Sequence, residues 1–154
     1  MIYWDLHGVL ADLSKAVFGF EPPHWDYKVS GENLLDIVET NLSLLEKCEQ
    51  TEYTNLVKSL PFLFVISSQP VHWRSYSDEW LKKNFNPKKT FRQYVNKPQE
   101  KLALLKPQDR IVEDYPFFED YSQVILIDKP YNQNAPAKIR VHSPEELREY
   151  VCNC

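Results

Sequence analysis

The sequence predicts an α/β protein with a Rossmann-like, three-layer α/β/α architecture around a central parallel sheet. Two observations support this prediction. Uninterrupted apolar runs at residues 2–4, 62–66 and 124–127 are typical of strands that a parallel sheet buries on both faces. Segments with helical spacing or helix-start signals separate these runs, and strands that alternate with helices imply right-handed crossovers with helices on both sides of the sheet.

The first half of the predicted core contains two strands and one long helix. The first strand runs from Ile2 into Asp5, and a Gly-containing turn follows it. The second strand covers residues 62–66 and ends in Ser67-Ser68-Gln69-Pro70. A helix is expected over residues 73–84, because Asn86-Pro87 would stop it there.

The second half contributes shorter elements. Residues 90–95 alternate like an edge strand, and residues 98–105 favour a short helix that begins with proline. Strands are expected at 110–114 and 123–128, with a short helix at 116–121 between them. Ser143 followed by Pro144 predicts the start of a last helix, which would run through Val151.

The segment 13–60 is longer than a simple crossover connection between the first two strands requires. Apolar residues recur there near helical spacing from residue 31 to residue 60, which predicts two or three short helices with a break around residues 49–51. We therefore expect a core domain formed by residues 1–12 and 61–154, with residues 13–60 as a small helical cap. The two parts would form a single compact unit.

Composition and charge restrict the possible partners. The chain has 154 residues, of which 43% are hydrophobic and 14% aromatic, as expected for one packed domain. Its formal net charge of −4 gives no overall basic field for nucleic acid or an anionic membrane. The three cysteines are Cys48, Cys152 and Cys154, and this odd number indicates no disulfide framework. We therefore expect a cytoplasmic protein, with an unstructured C-terminal end rather than a metal site at Cys152 and Cys154.

Polar side chains stand where three of the predicted strands end. Asp5 ends the first strand, Ser67 follows the second, and Glu113 and Asp114 end a later one. In an open parallel sheet, ligands bind outside the carboxyl ends of the strands. These side chains are therefore expected to meet at one site.

The segment from Asp5 to Asp12, Asp-Leu-His-Gly-Val-Leu-Ala-Asp, resembles the first motif of the haloacid dehalogenase superfamily, which reads Asp-x-Asp-Gly-x-x-x-Asp. It departs from that motif at His7. Other segments resemble the pyrimidine 5′(3′)-deoxyribonucleotidase family with its bacterial and phage relatives, namely residues 66–70, 80–83, 96–97, 110–116 and 127–132. The resemblance covers the predicted core and is thin over residues 13–60.

The resemblance implies a role for each of the polar residues. Asp5 would be the nucleophile that forms an aspartyl-phosphate, and Ser67 would donate a hydrogen bond to a phosphoryl oxygen. Asp114, or alternatively Glu113, would hold Mg²⁺ together with Asp5 and the backbone oxygen of His7. Lys97 fits the position of the family's phosphate-binding lysine, with Lys101 as the alternative.

Aromatic residues of the cap are candidates for substrate contacts. Phe18, Phe20, Trp25 and Tyr27 could stack on a base or shield the phosphate from water, or they could simply fill the core of the small cap. We take Phe18, Trp25 and Ser68 as the candidate substrate-binding residues.

The resemblance implies a Mg²⁺-dependent phosphomonoesterase that acts on a small phosphorylated substrate, with a nucleoside monophosphate as the leading candidate. His7 stands where the family has an acid/base aspartate, and histidine can do the same work. It could instead leave a weakened protein that only binds or regulates. A phosphatase of nucleic-acid ends is a further alternative within the same fold.

Overall fold

The computed structural model describes residues 1–152, and it contains six parallel strands in one sheet with helices packed against it. The strands are β1 (Ile2–Trp4), β2 (Leu63–Ser68), β3 (Thr90–Val95), β4 (Arg110–Glu113), β5 (Val124–Ile127) and β6 (Ile139–Val141). The helices are α1 (Leu13–Phe18), α2 (Leu34–Thr40), α3 (Leu44–Lys47), α4 (Thr54–Lys58), α5 (Arg74–Asn84), α6 (Pro98–Ala103) and α7 (Pro144–Val151). Single 3₁₀ turns lie at Val71–Trp73, Pro87–Lys89 and Pro130–Asn132.

The strand order β3-β2-β1-β4-β5-β6 puts β1 between β2 and β4. The chain therefore moves outward in one direction after β1 and in the other direction after β3. Such a reversal opens a crevice at the carboxyl ends of the central strands. The predicted Rossmann-like parallel α/β fold is confirmed, as is the position of β3 at an edge. β6 is an additional strand that the sequence did not predict.

The sheet is buried on both faces because successive residues of its strands point to opposite sides. Trp4, Val65 and Val112 pack in the larger apolar cluster with residues of α2 to α5 and α7. Ile66 and Ile111 belong to a second cluster on the other side, which is closed by α6 and the 115–121 loop.

The inserted segment does not stand apart from the core. Val38 of α2 and Leu45 of α3 are fully buried and belong to the larger cluster that also contains Trp4. The indole N–H of Trp80 in α5 donates to the Cys48 carbonyl at 2.8 Å, which ties the insertion to the core helix. The expected three short helices and the break at residues 49–51 are both present.

The predicted helix at 116–121 is wrong. This segment is an irregular loop, held by the Tyr121 hydroxyl, which donates to the Tyr115 carbonyl at 2.9 Å and accepts from the Phe118 amide at 3.2 Å. The phenol thus takes over backbone hydrogen bonding that a helix would otherwise supply. By contrast, the predicted start of α7 is confirmed, since the Ser143 hydroxyl accepts from the Glu146 amide at 3.2 Å and Pro144 occupies the first turn.

None of the described helices has the length and apolar character that crossing a bilayer requires. Cys48 is buried and carries a free thiol, and Cys152 is exposed with a free thiol. Cys154, and with it the Cys152–Cys154 pair, lies outside the described residues.

Candidate active site

The centre of the site is a buried carboxylate one residue beyond β1. The Asp5 amide donates to the Val112 carbonyl at 3.0 Å, which continues the ladder between β1 and β4 past the end of β1. The Asp5 side chain is 6% exposed. Pairing of β1 with both β2 and β4 thus fixes this carboxylate at the central crevice.

Two further acids reach the same place from β4. Glu113 and Asp114 are 0% and 3% exposed, and one oxygen from each lies within 4.8 Å of an Asp5 oxygen and of the other. Strand β4 places them there because it is the direct neighbour of β1. The three acids that the sequence assigned to one site are therefore brought together.

Lys101 is the cation of this cluster. Its ammonium lies 2.7 Å from Asp5 Oδ1 and 2.6 Å from Glu113 Oε1, and the side chain is 3% exposed. The first-choice lysine, Lys97, is exposed and takes no part in the cluster. Lys97 precedes the first turn of α6 as an extended N-cap residue, whereas Lys101 lies one turn further, where α6 packs against the sheet. The structure therefore supports the alternative, Lys101.

Hydrogen bonds distinguish the two acids of β4. Glu113 uses Oε1 for Lys101, and its Oε2 accepts from the amides of Asp114 and Tyr115 at 3.1 and 3.2 Å. Asp114 Oδ2 accepts a hydrogen bond from the Tyr131 hydroxyl, whereas no described residue donates a hydrogen bond to Asp114 Oδ1. Glu113 thus orients Lys101 and the turn after β4, and Asp114 is the acid left to hold a ligand.

Gly8 allows the loop after Asp5 to approach Asp114. Its φ is +89°, and a Cβ on this residue would lie 2.0 Å from Asp114 Oδ2. Any side chain at position 8 would therefore collide with the carboxylate. The carbonyl of His7, just before this glycine, accepts no backbone hydrogen bond from the described residues.

The electrostatics of the cluster favour a bound cation. Burial raises the pKa of Asp5 to about 6, although Lys101 opposes this, and Asp114 raises it further. Burial and the neighbouring acids likewise raise the pKa of Glu113 to about 7 and that of Asp114 to about 6. Burial alone would lower the pKa of Lys101, but Asp5 and Glu113 keep it above its ordinary value. Three carboxylates therefore share one ammonium, and a further positive charge would stabilise them.

No protein-family model matches this chain, and no curated protein matches it. The donor set therefore has to be judged on its own chemistry. Asp5 and Asp114 offer carboxylate oxygens and His7 offers a backbone carbonyl, which are the hard oxygen ligands that Mg²⁺ prefers. The residues present thus fit a magnesium ion.

Ser67 is the last residue but one of β2, and it is 1% exposed. Its hydroxyl oxygen accepts a hydrogen bond from the side-chain amide Nε2 of Gln69 at 2.9 Å, and Gln69 Oε1 in turn accepts one from the Ser77 hydroxyl at 2.8 Å. None of the hydrogen bonds between described residues joins Ser67 to the acid cluster, so its role at the site stays a prediction. Gln69 and Ser77 were not predicted from the sequence, because a lone glutamine and a helical serine carry no motif. Ser68 is half-buried, and no contact links it to the pocket described next.

A pocket of about 180 Å³ opens beside the acids, between the cap and the core. His7, Gly8 and Asp114 lie at its base, and its walls are mostly apolar. The remaining lining residues are Leu13, Ser14, Phe18, Pro22, Trp25, Asp26, Asn33, Leu34, Leu35 and Tyr131. Two of the three predicted substrate-binding residues, Phe18 and Trp25, therefore face this pocket.

The cap reaches the core through Trp25 and Glu21. The Trp25 ring packs edge-on against Tyr115 and Tyr131, with centroids 5.3 and 5.4 Å apart, and is 44% exposed. The Lys129 ammonium lies 2.5 Å from Glu21. Tyr131 falls within the segment 127–132 that supported the resemblance, but its contact with Asp114 had no sequence signal.

His7 lines the pocket and is half-buried. Its ring packs edge-on against Trp73 with centroids 6.3 Å apart. Burial, together with the positive charge of Lys101, lowers the pKa of His7 to about 4. The imidazole is therefore neutral at pH 7 and a weaker base than an ordinary histidine.

Other residues considered in the sequence have local roles. Asp12 caps α1 by accepting from the Lys15 amide at 3.1 Å. Phe20 and Tyr27 pack against each other and against Phe18, so they fill the cap.

A larger cavity, about 410 Å³, lies at the opposite end of the sheet, beside the first residues of β2 and β3. None of the acids of the cluster lines it. Its volume alone therefore does not make it the reaction site.

Proposed function

We propose that this protein is a Mg²⁺-dependent phosphomonoesterase that works through an aspartyl-phosphate on Asp5. The observation that carries the proposal is the buried arrangement of Lys101 between Asp5 and Glu113, with Asp114 beside them. A carboxylate needs no deprotonation to act as a nucleophile near neutral pH. Its approach to an anionic phosphate does require positive charge, which Lys101 supplies from within the chain.

The reaction divides into two displacements. An Asp5 carboxylate oxygen forms a bond to phosphorus while the bond from phosphorus to the substrate oxygen breaks, and that oxygen takes a proton from a water molecule and leaves as an alcohol. Water then attacks phosphorus, which releases phosphate and restores Asp5. Lys101 and the Ser67 hydroxyl hold the phosphoryl oxygens during both steps. Mg²⁺ held by Asp5, Asp114 and the His7 carbonyl would neutralise charge on the phosphoryl group.

His7 is the residue that handles the proton in this proposal. Its ring lines the pocket beside Asp114, and the imidazole is neutral at pH 7. With its pKa lowered to about 4, the imidazole is a weak base, so it takes the proton of the attacking water only as the bond between that oxygen and phosphorus forms in the second displacement. This assigns His7 to the release of phosphate from Asp5.

The pocket favours a nucleoside monophosphate over a nucleic-acid end. Its walls include Phe18, Trp25 and Tyr131, which suit a flat or apolar leaving group. No lysine or arginine is among its lining residues, so it offers no cation to the further phosphates of an oligonucleotide. Asp26 and Asn33 supply polar contacts at the rim.

The test is hydrolysis of p-nitrophenyl phosphate and a panel of nucleoside monophosphates, with Mg²⁺ and with EDTA. We expect turnover only with Mg²⁺, and a loss of at least about 10³-fold in Asp5→Asn. Asp120→Asn is the matched control, because Asp120 is an exposed acid that bonds only within its own turn. Faster turnover of an oligonucleotide 3′-phosphate than of any monophosphate would favour the nucleic-acid alternative.

A folded protein without turnover would favour a different role. If the wild-type chain binds Mg²⁺ and phosphate but hydrolyses none of these substrates, the replacement at His7 has left a binding or regulatory protein. Restoring turnover with His7→Asp would then locate the defect at this residue.

A further inference from the structure

Three buried side chains form a hydrogen-bonded chain that leads from α5 to the end of β2. The Ser77 hydroxyl donates to Gln69 Oε1 at 2.8 Å, and Gln69 Nε2 donates to Ser67 Oγ at 2.9 Å. Ser77, Gln69 and Ser67 are 0%, 2% and 1% exposed. The Gln69 backbone is also fixed, since its amide donates to the Val95 carbonyl at 3.0 Å.

The direction of this chain follows from its ends. With Gln69 Oε1 facing Ser77, the Ser77 proton has an acceptor and every bond in the chain is made. The reversed amide would point Nε2 at Ser77, and the hydrogen bond that Ser77 donates to Gln69 Oε1 would be lost. Losing a buried hydrogen bond costs free energy, so the first orientation is favoured.

This direction has a consequence for Ser67. Its oxygen receives the proton of Gln69 and therefore does not need to donate back to it. Ser67 lies near the carboxyl end of β2, the strand that pairs with β1 just before Asp5, so its hydroxyl proton is available to a phosphoryl oxygen bound at that edge of the sheet. A hydroxyl that already accepts one hydrogen bond is also polarised to donate more strongly.

We propose that Gln69 and Ser77 are positioning residues, which direct the Ser67 hydroxyl proton toward the phosphoryl oxygen of the substrate. This inference rests on the proposed phosphatase function, because it assigns a task within the same site. Neither residue touches substrate, and both act through Ser67. If their role were merely structural, the two residues would satisfy each other's buried polar atoms, and the orientation of the Ser67 hydroxyl would not depend on them.

A double-mutant cycle separates these two roles. We expect Gln69→Met and Ser77→Ala each to lower kcat/KM for p-nitrophenyl phosphate about 10-fold, and Ser67→Ala to lower it about 100-fold. In the Ser67→Ala background, Gln69→Met should change kcat/KM by less than about twofold, because the hydroxyl it positions is gone. An undiminished effect in that background would overturn the proposal.

Matched controls account for general damage. Gln93→Met changes an exposed glutamine on β3, and Ser75→Ala changes an exposed serine on α5 that has no side-chain hydrogen bond. Both controls should keep wild-type kcat/KM. Thermal unfolding of every variant shows whether it is folded at the assay temperature.

An independent readout distinguishes failure of this inference from failure of the proposed function. In NMR spectra the side-chain amide of Gln69 should exchange slowly with solvent in the wild type and rapidly in Ser77→Ala. Fast exchange in an active wild-type enzyme would refute the positioning chain alone. If no phosphomonoester is hydrolysed, titration with inorganic phosphate and Mg²⁺ replaces the kinetic test. Binding about 10-fold weaker in Gln69→Met than in Gln93→Met would support the chain, and equal or absent binding would contradict it.

Discussion

Replacing Lys101 with methionine tests the electrostatic design of the site without creating a large cavity. The variant removes the ammonium from between Asp5 and Glu113 and leaves three carboxylates with oxygens within 4.8 Å of one another. Removing one partner of a buried ion pair costs about 3–5 kcal/mol. Because these carboxyls can take up a proton instead, we expect the lower end of that range, about 3 kcal/mol at pH 8.

The cost should depend on pH in a defined direction. The pKa of Asp5 is already raised to about 6 and that of Glu113 to about 7, and both will rise further without Lys101. The folded state then binds more protons than the unfolded chain, so stability falls as pH rises above the ordinary carboxyl pKa. We therefore expect the deficit of Lys101→Met to shrink to about 1 kcal/mol at pH 5.

Thermal unfolding in EDTA measures this effect. A loss of about 3 kcal/mol corresponds to roughly 6–12 °C in Tm for a chain of this size. Lys97→Met is the matched control at the N-cap of the same helix, and because Lys97 is exposed it should change stability by less than about 0.5 kcal/mol. Equal losses in the two variants, or a deficit for Lys101→Met that does not change between pH 5 and pH 8, would refute the reasoning.

Three further substitutions address the loop, the cap and the core. Gly8→Ala puts a methyl 2.0 Å from a carboxylate oxygen of the proposed metal site, so it should weaken Mg²⁺ binding more than tenfold in calorimetry. Gly19→Ala, which has a similar positive φ in open space, should cost about 1 kcal/mol and leave Mg²⁺ binding intact. Trp25→Ala should raise KM for a nucleoside monophosphate several-fold and leave Mg²⁺ affinity unchanged, whereas Phe91→Ala, at an exposed position on β3, should leave both unchanged. Trp80→Phe removes the indole N–H from a buried carbonyl and should lower the free energy of unfolding in urea by about 1–2 kcal/mol, and an unchanged midpoint would contradict that hydrogen bond.

The fold could be predicted where local signals agreed with burial. The apolar run at 62–66 and the start of α7 at Ser143-Pro144 each carry a signal within a few residues, and both are present. The segment 116–121 also has a proline at a helix-start position, but tertiary hydrogen bonds to the Tyr121 hydroxyl determine its path. β6 has only three residues, which is too short for a clear alternation.

The site could be predicted as a set of strand ends but not as a set of contacts. Asp5, Glu113 and Asp114 were found because they directly follow apolar strands. The choice between Lys97 and Lys101 depends on which side chain is buried when α6 packs against the sheet. The sequence around both lysines is similarly polar, so it does not distinguish them. Tyr131 donates a side-chain hydrogen bond to Asp114, and Gln69 donates one to Ser67. Both bonds depend on how the folded chain places the side chains, so neither leaves a pattern in the sequence.

The most direct test of the central claim is a crystal structure of the protein with Mg²⁺ and beryllium fluoride, which mimics a phosphoryl group on a carboxylate. We expect the fluoride complex on an Asp5 oxygen, and one octahedral ion with oxygens of Asp5 and Asp114 at about 2.1 Å. An ion bound without Asp114 would contradict the account, and so would the absence of the fluoride complex from Asp5 at saturating concentrations of beryllium fluoride.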